Sequence, residues 1–365
     1  MLRIIIVLSL LVALSSSCDN PQSEVLLDEV QSAIDLRADS LLSASELHAV
    51  SIGVIQSGKR YLSHYGELDP GGGIPPNDST IYEIASVTKT FTGTLLAHAI
   101  SEGVLRLEDD IRPYLPGDFQ HLAYAGSPIT VAHLATHTAG LPQDFPELPT
   151  SADSTAAIRD ALLTGLRSTV IDTLPGARYL YSNVGANVLA YVLEKAYDQP
   201  LDSLFDRLIY RKADMHSTGF MLREGQKVNF AKGYGAEGSI APFMPPTSWA
   251  AAGLKSTLPD LLNFVAFHLD ESRPEVKRSH EKLLDHSNPA AYRAYYWLVN
   301  TAEDGTRRLS CHGGGMGFQA WVMFYPESET GIVVLTNKSD PQTGGRIIDV
   351  AKKIAADLGA LERVS

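Results

Sequence analysis

The chain has 365 residues, 44% hydrophobic and 20% charged, an ordinary globular composition long enough for one large domain or two interleaved ones. A formal net charge of −12 and the lack of any Lys/Arg cluster argue against nucleic acid as a partner and against a basic membrane-binding patch. Two cysteines, Cys18 and Cys311, are too few for a disulfide framework.

Arg3 and the apolar run Ile4 to Leu14, too short to span a bilayer, read as an export signal. Leu14-Ser15-Ser16-Ser17-Cys18 resembles a bacterial lipobox, which implies lipid on Cys18. The expected organisation is a lipoprotein signal over 1–18, a polar tether over 19–23 and a folded domain over 24–365. The expected location is the periplasmic or cell-surface side of a membrane, with the protein held there by its lipid as a monomer. With Cys18 acylated, Cys311 is a free thiol and no disulfide forms.

Apolar residues at helical spacing (Val25, Leu26, Val30, Ile34, Leu36) predict a first helix over Glu24 to Leu42. Val50 to Gln56 and Arg60 to Tyr65 read as a hairpin turning at Ser57-Gly58-Lys59. Gly71 to Pro76 is a loop with no strand-to-helix phosphate site. Ile81 to Ala85 is an apolar approach to Ser86-Val87-Thr88-Lys89, after which a helix runs from Thr90 to about Ile100.

Residues three apart share a helix face, so Lys89 is placed one turn above Ser86. Serine is a weak nucleophile until a base takes its proton, and a lysine in a dry pocket loses its own proton near neutral pH. At a helix start the Ser86 N–H is also free for a developing oxyanion. The pattern alone is common. A second copy, Ser279-His280-Glu281-Lys282, lies in the charged stretch Glu271 to Lys282 and reads as solvated surface.

Further along, Thr130 caps a helix that stops at Thr138-Ala139-Gly140-Leu141-Pro142. His133 and His137, four apart, have metal-pair spacing but no third ligand, so they read as packing and no metal or cofactor is expected. Tyr181-Ser182-Asn183 reads either as a turn before a helix with the tyrosine packed in the core, or as a phenol for proton transfer, provided a nearby cation lowers its pKa, with an amide to orient Lys89 or a substrate. After about Phe220 a helix is predicted from Pro259 to His268. Strands follow over Arg293 to Val299, Arg307 to His312, Phe318 to Tyr325 and Gly331 to Asn337, then a helix from about Arg346 to Leu358.

His312-Gly313-Gly314-Gly315 ends one of these strands, and bare glycines let another backbone approach closely. A substrate docked on the strand edge, with the Gly315 N–H as second oxyanion donor, fits that pattern. The rival reading, the oxyanion loop of α/β-hydrolases, needs a G-x-S-x-G elbow that the chain lacks. Cys311 and His312, as strand neighbours, point to opposite faces and cannot form a thiol–imidazole pair. The fold class expected is α/β of the α+β type. One antiparallel sheet built from both termini (about 24–90 and 221–365) is flanked by helices and carries a mainly helical insertion over about 91–220.

Ser86-x-x-Lys89, Tyr181-x-Asn183 and His312-Gly313-Gly314, in this order, resemble the three motifs of the class C β-lactamase and D-alanyl-D-alanine carboxypeptidase family. His137 to Pro142, Pro175-Gly176, Gly253 to Thr257 and Val334 to Asn337 add to the likeness, which covers about Val30 to Leu358. The resemblance implies a β-lactamase/transpeptidase-like fold and an acyl-enzyme on Ser86. It assigns proton handling to Lys89 and Tyr181, and substrate contacts to Asn183, His312, Gly313, Gly314 and Gly315.

Class C β-lactamases carry Lys-Thr-Gly at the third motif, where this chain has His312. A titrating imidazole there predicts that turnover of carboxylate substrates falls between about pH 6 and 8, and that His312→Lys flattens the fall. The expected activity is hydrolysis of a small ester, amide or D-Ala-type peptide, including peptidoglycan ends. An esterase or weak β-lactamase on the same site is the alternative, and a non-catalytic lipid-anchored binding module the alternative of another class. Loops Gln143 to Ser154 and Gly233 to Thr247 are expected to set selectivity.

Overall fold

The computed structural model describes residues 21–43, 47–145 and 155–360; Cys18, the signal, and most of the loop 143–154 lie outside the described residues. Ala49–Gln56 (β1) and Lys59–Gly66 (β2) form the expected hairpin, turning at Ser57 and Gly58, both at positive φ. Six further strands come from the other end of the chain: Leu284–Asp285 (β3), Ala291–Ala294 (β4), Trp297–Thr301 (β5), Arg307–Gly314 (β6), Gln319–Tyr325 (β7) and Thr330–Thr336 (β8). Together they make one antiparallel sheet in the order β2-β1-β8-β7-β6-β5-β4-β3. Val50 lies opposite Thr336 and Gln56 opposite Thr330, so the two termini meet at the β1–β8 seam.

Strands β7 and β8 are buried along their whole length because helices cover both faces. On one face, helices Pro21–Ser43 (α1) and Thr343–Asp357 (α5) set Val30, Ile34, Ile347 and Ile354 against Val50, Ile52, Ile332 and Val334. Leu36, included in the predicted apolar stripe, instead faces outward at 59% exposure. On the opposite face lies Leu258–Leu269 (α4), whose N-cap Thr257 accepts from the Asp260 N–H. A Cβ at Gly331 would sit 2.2 Å from Val265 Cγ1, so that glycine sets how closely α4 approaches the sheet.

The helical region holds Thr88–Ser101 (α2) and Asn183–Tyr197 (α3), with shorter helices at Val131–Ala135 and Thr155–Arg167. Helix α2 is buried on nearly every side, and Phe91 stacks on Phe264 of α4 at 3.9 Å. A single apolar cluster therefore runs from the sheet through α2 into the helical region. Two readings are corrected. The strand predicted over Arg293 to Val299 is two strands, β4 and β5, turning at Tyr295-Tyr296 with Tyr296 at φ 70° and no glycine or asparagine to announce the turn. The second S-x-x-K copy is not uniformly solvated: Ser279 and His280 are buried, and only Glu281 and Lys282 face solvent.

Candidate active site

The strand Ile81–Glu83 enters a 3₁₀ turn, Ala85–Val87, that leads directly into α2. Ala85 sits at φ 44°, a left-handed conformation uncommon for alanine, and turns the next residue, Ser86, into the cleft. The turn is held by the Ile84 N–H on Leu254 O (3.1 Å) and by the Val87 N–H on Ile84 O (3.1 Å). Strand β6 lies against the turn: a Cβ at Gly313 would stand 2.1 Å from Ile84 O. The backbone that needs Gly313 bare is thus the chain's own nucleophile turn, not a docked substrate.

Lys89 Nζ lies 2.7 Å from Asn183 Oδ1, 2.8 Å from Ala251 O and 3.2 Å from Ser86 Oγ, with the side chain 2% exposed. No carboxylate touches it, and burial brings its pKa from 10.5 down to about 7. A neutral amine has two N–H groups and one lone pair. The two shorter contacts take the N–H groups, which leaves the lone pair for the Ser86 hydroxyl.

Tyr181 O–H is 2.8 Å from Ser86 Oγ, and its ring lies 4.8 Å from Lys89 Nζ. The expectation of a phenol with lowered pKa is overturned: burial raises it well above its ordinary value, against a smaller opposing effect of the Ser86 bond. Tyr181 therefore stays protonated and is placed to donate to Ser86 Oγ. Asn183 opens α3, whose N-cap Ser182 accepts from the Gly185 N–H (2.8 Å) and donates to Pro142 O (2.6 Å). The Asn183 amide is fixed at both ends, Oδ1 on Lys89 and Nδ2 on Asp144 Oδ1 (2.9 Å).

The third motif departs furthest from expectation. Cys311 and Gly313 face the nucleophile turn, and the Cys311 thiol lies 3.7 Å from Ser86 O. By strand alternation the His312 side chain turns toward Gln319, while the residue still lines the cavity that holds Ser86 and Lys89. Its Nε2–H donates to Gln319 Oε1 at 2.6 Å, and Gln319 in turn donates to Ser339 Oγ. Desolvation holds the imidazole below its ordinary value, against an opposing effect of the Gln319 bond, which shifts any loss of turnover from its titration to lower pH. The Gly315 N–H is also occupied, donating to Phe318 O at 2.9 Å in the β6–β7 turn. Successive strand N–H groups point to opposite sides, which directs the Gly314 N–H to the edge where β6 has run past the end of β5.

Sequence reasoning missed Arg293. It stands in β4 with its guanidinium 4.2 Å from the Tyr179 ring centroid and lines a cavity of about 200 Å³ together with Ser86, Lys89, His137 and Tyr181. The unseen turn at Tyr295-Tyr296 is what carries it there. Burial pushes the Cys311 thiol up to about 12, which leaves it inert beside the serine. His133 Nδ1 accepts the Thr130 N–H, while His137 lies in the cleft wall with its Nδ1 on the Ser182 N–H. Among the described residues no group of three or more His, Cys, Asp or Glu is placed to hold a metal. A larger open depression of about 410 Å³ on the helical region, lined by Arg159 and Glu194, holds no comparable nucleophile.

An antiparallel sheet against a helical region, with serine, lysine and tyrosine meeting at their junction, defines a penicillin-binding-protein-like serine hydrolase. The sequence profile of the Beta-lactamase family matches residues 36–356, and the chain belongs to that family. A β-lactamase of Pseudomonas fluorescens is 26% identical over 359 residues, 86% of this chain and 95% of that protein. Protein flp of Staphylococcus aureus is 28% identical over 327 residues, and the match spans 64% of its length. A β-lactamase/D-alanine carboxypeptidase of Pseudomonas syringae shares the fold, with a TM-score of 0.78 at 21% identity over 90% of this chain and 98% of that one.

Proposed function

We propose that the protein hydrolyses a small ester, amide or D-Ala-type peptide through an acyl-enzyme on Ser86. The observation that carries this is the environment of Lys89, a buried amine 2.7 and 2.8 Å from two carbonyl acceptors and 3.2 Å from the serine hydroxyl, whose proton its lone pair can take when it is neutral. The Ser86 O–H bond breaks, its proton passes to Lys89 Nζ, and Oγ bonds to the substrate carbonyl carbon. The carbonyl electron pair moves to oxygen, facing the N–H groups of Ser86 and Gly314. When the carbon–leaving-group bond breaks, Tyr181 gives its proton to the departing atom and recovers one from Lys89. Water then releases the acid by the same steps in reverse. A guanidinium keeps its charge across the working pH range, so Arg293 is assigned the substrate carboxylate in place of His312.

A fluorescent phosphonate or penicillin probe tests the reading: labelling of the parent that disappears in Ser86→Ala supports it, and a parent unlabelled by either probe favours the binding module. Rates on a p-nitrophenyl ester, a cephalosporin and a D-Ala-D-Ala peptide then separate the substrates. An esterase is favoured by one observation, the half-exposed apolar side chains of Met316 and Phe243, next in the chain to Gly315 and Met244, whose own approach is close (a Cβ at Gly315 would stand 3.8 Å from Met244 Sδ). Lipid on Cys18 belongs to the same proposal, and Cys18→Ala should move the protein from the membrane to the soluble fraction.

A further inference from the structure

His137 belongs to a pair that the sequence marks only as packing, yet it is tied to the segment carrying Tyr181 from both sides. Its carbonyl accepts the Leu180 N–H at 2.7 Å, and its Nδ1 accepts the Ser182 N–H at 3.2 Å. Its ring lies against the phenol ring, centroids 4.6 Å apart, and touches Tyr179 and Tyr296 on other sides. The residue is 6% exposed and stands at φ 57°, a conformation that His, Asn and Asp adopt more readily than other side chains.

We propose that His137 is the positioning residue for Tyr181. By holding Leu180 through its main chain and Ser182 through its imidazole, it fixes the segment between them and so the 2.8 Å contact of the phenol with Ser86 Oγ. This inference rests on the serine hydrolase reading. The clamp requires a ring nitrogen that stays an acceptor. Burial, with Lys89 and Arg293 adding to it, holds His137 down to about 3, so Nδ1 remains free to accept and the ring proton resides on Nε2. Misplacement of a reacting group by about 1 Å costs on the order of 10²-fold in rate, so a clamp on the tyrosine acts on kcat.

The test uses two replacements that both tolerate positive φ. His137→Asn keeps an acceptor for Ser182, whereas His137→Gly removes it. On a p-nitrophenyl ester, His137→Gly is expected to lower kcat by roughly 10- to 100-fold with KM changed less than about twofold, and His137→Asn to recover most of the loss. In a Tyr181→Phe background His137→Gly should cost nothing more, because the group it positions is gone. Amide exchange at Ser182 should be slow in the parent and in His137→Asn and fast in His137→Gly. A labelled parent whose kcat is indifferent to His137→Gly, or a loss that persists in full beside Tyr181→Phe, overturns the clamp alone. A parent that no serine probe labels overturns the hydrolase reading, and the clamp's catalytic role with it.

Discussion

The two S-x-x-K copies share a spacing and little else. Ser86 follows a left-handed alanine in the 3₁₀ turn that leads into α2, so its hydroxyl stands in the cleft, and Lys89 in the first turn of α2 extends beside it with no carboxylate in reach. Ser279 closes the helix Pro274–Ser279, and its hydroxyl donates to Val276 O at 2.7 Å. Lys282 lies beyond that helix end, exposed and paired with Asp285. Three residues of separation bring the two side chains together only where both lie on one helical run, as Ser86 and Lys89 do and Ser279 and Lys282 do not. The lysine becomes a base only when it is dry and unpaired.

The largest effect expected from this comparison is at Lys89. Lys89→Arg keeps a cation there and fixes its charge, so acylation by an ester should fall on the order of 10³-fold, measured in single turnover. If arginine acylates as fast as lysine, neutral lysine is not the base. The pH profile comes next. Below about pH 7 Lys89 is charged and its lone pair is lost, so the rate should rise through that pH and then level off. Between pH 6 and 8 the gain is roughly tenfold, opposite in sign to the fall expected from a titrating His312.

Arg293→Ala should raise KM about tenfold for a substrate with a carboxylate on its leaving group and leave a neutral ester unchanged. His312→Gln should leave that ratio as it is, and the reverse pattern would return the anion site to His312. The smallest effect is at the other copy: Ser279→Ala should cost about 1 kcal/mol in denaturant unfolding and nothing in probe labelling.

The pairing of Ser86 with Lys89 could be read from helical spacing and the seam between the termini from hairpin-linked strands at both ends, whereas Tyr181 and Asn183 joined the serine only through the family resemblance. Three features could not. The Tyr295-Tyr296 turn has no local signal: tertiary packing holds Tyr296 at positive φ, and so Arg293 was placed within a single strand. Alternation put Cys311 and His312 on opposite faces, but which face meets the serine depends on how β6 crosses the nucleophile turn. The pKa of Tyr181 is set by its depth of burial, which a sequence pattern does not carry.

The contact of Gly313 with Ile84 O ties the hydroxyl of Ser86 to the sheet rather than to a loop. A Cβ there would shove the elbow outward and misaim the oxygen, so Gly313→Ala is a poor route to a roomier pocket. Efforts to redirect the enzyme toward bulkier molecules belong at exposed side chains such as Phe243 and Met316, which can be exchanged without disturbing the anvil on which the attacking oxygen rests.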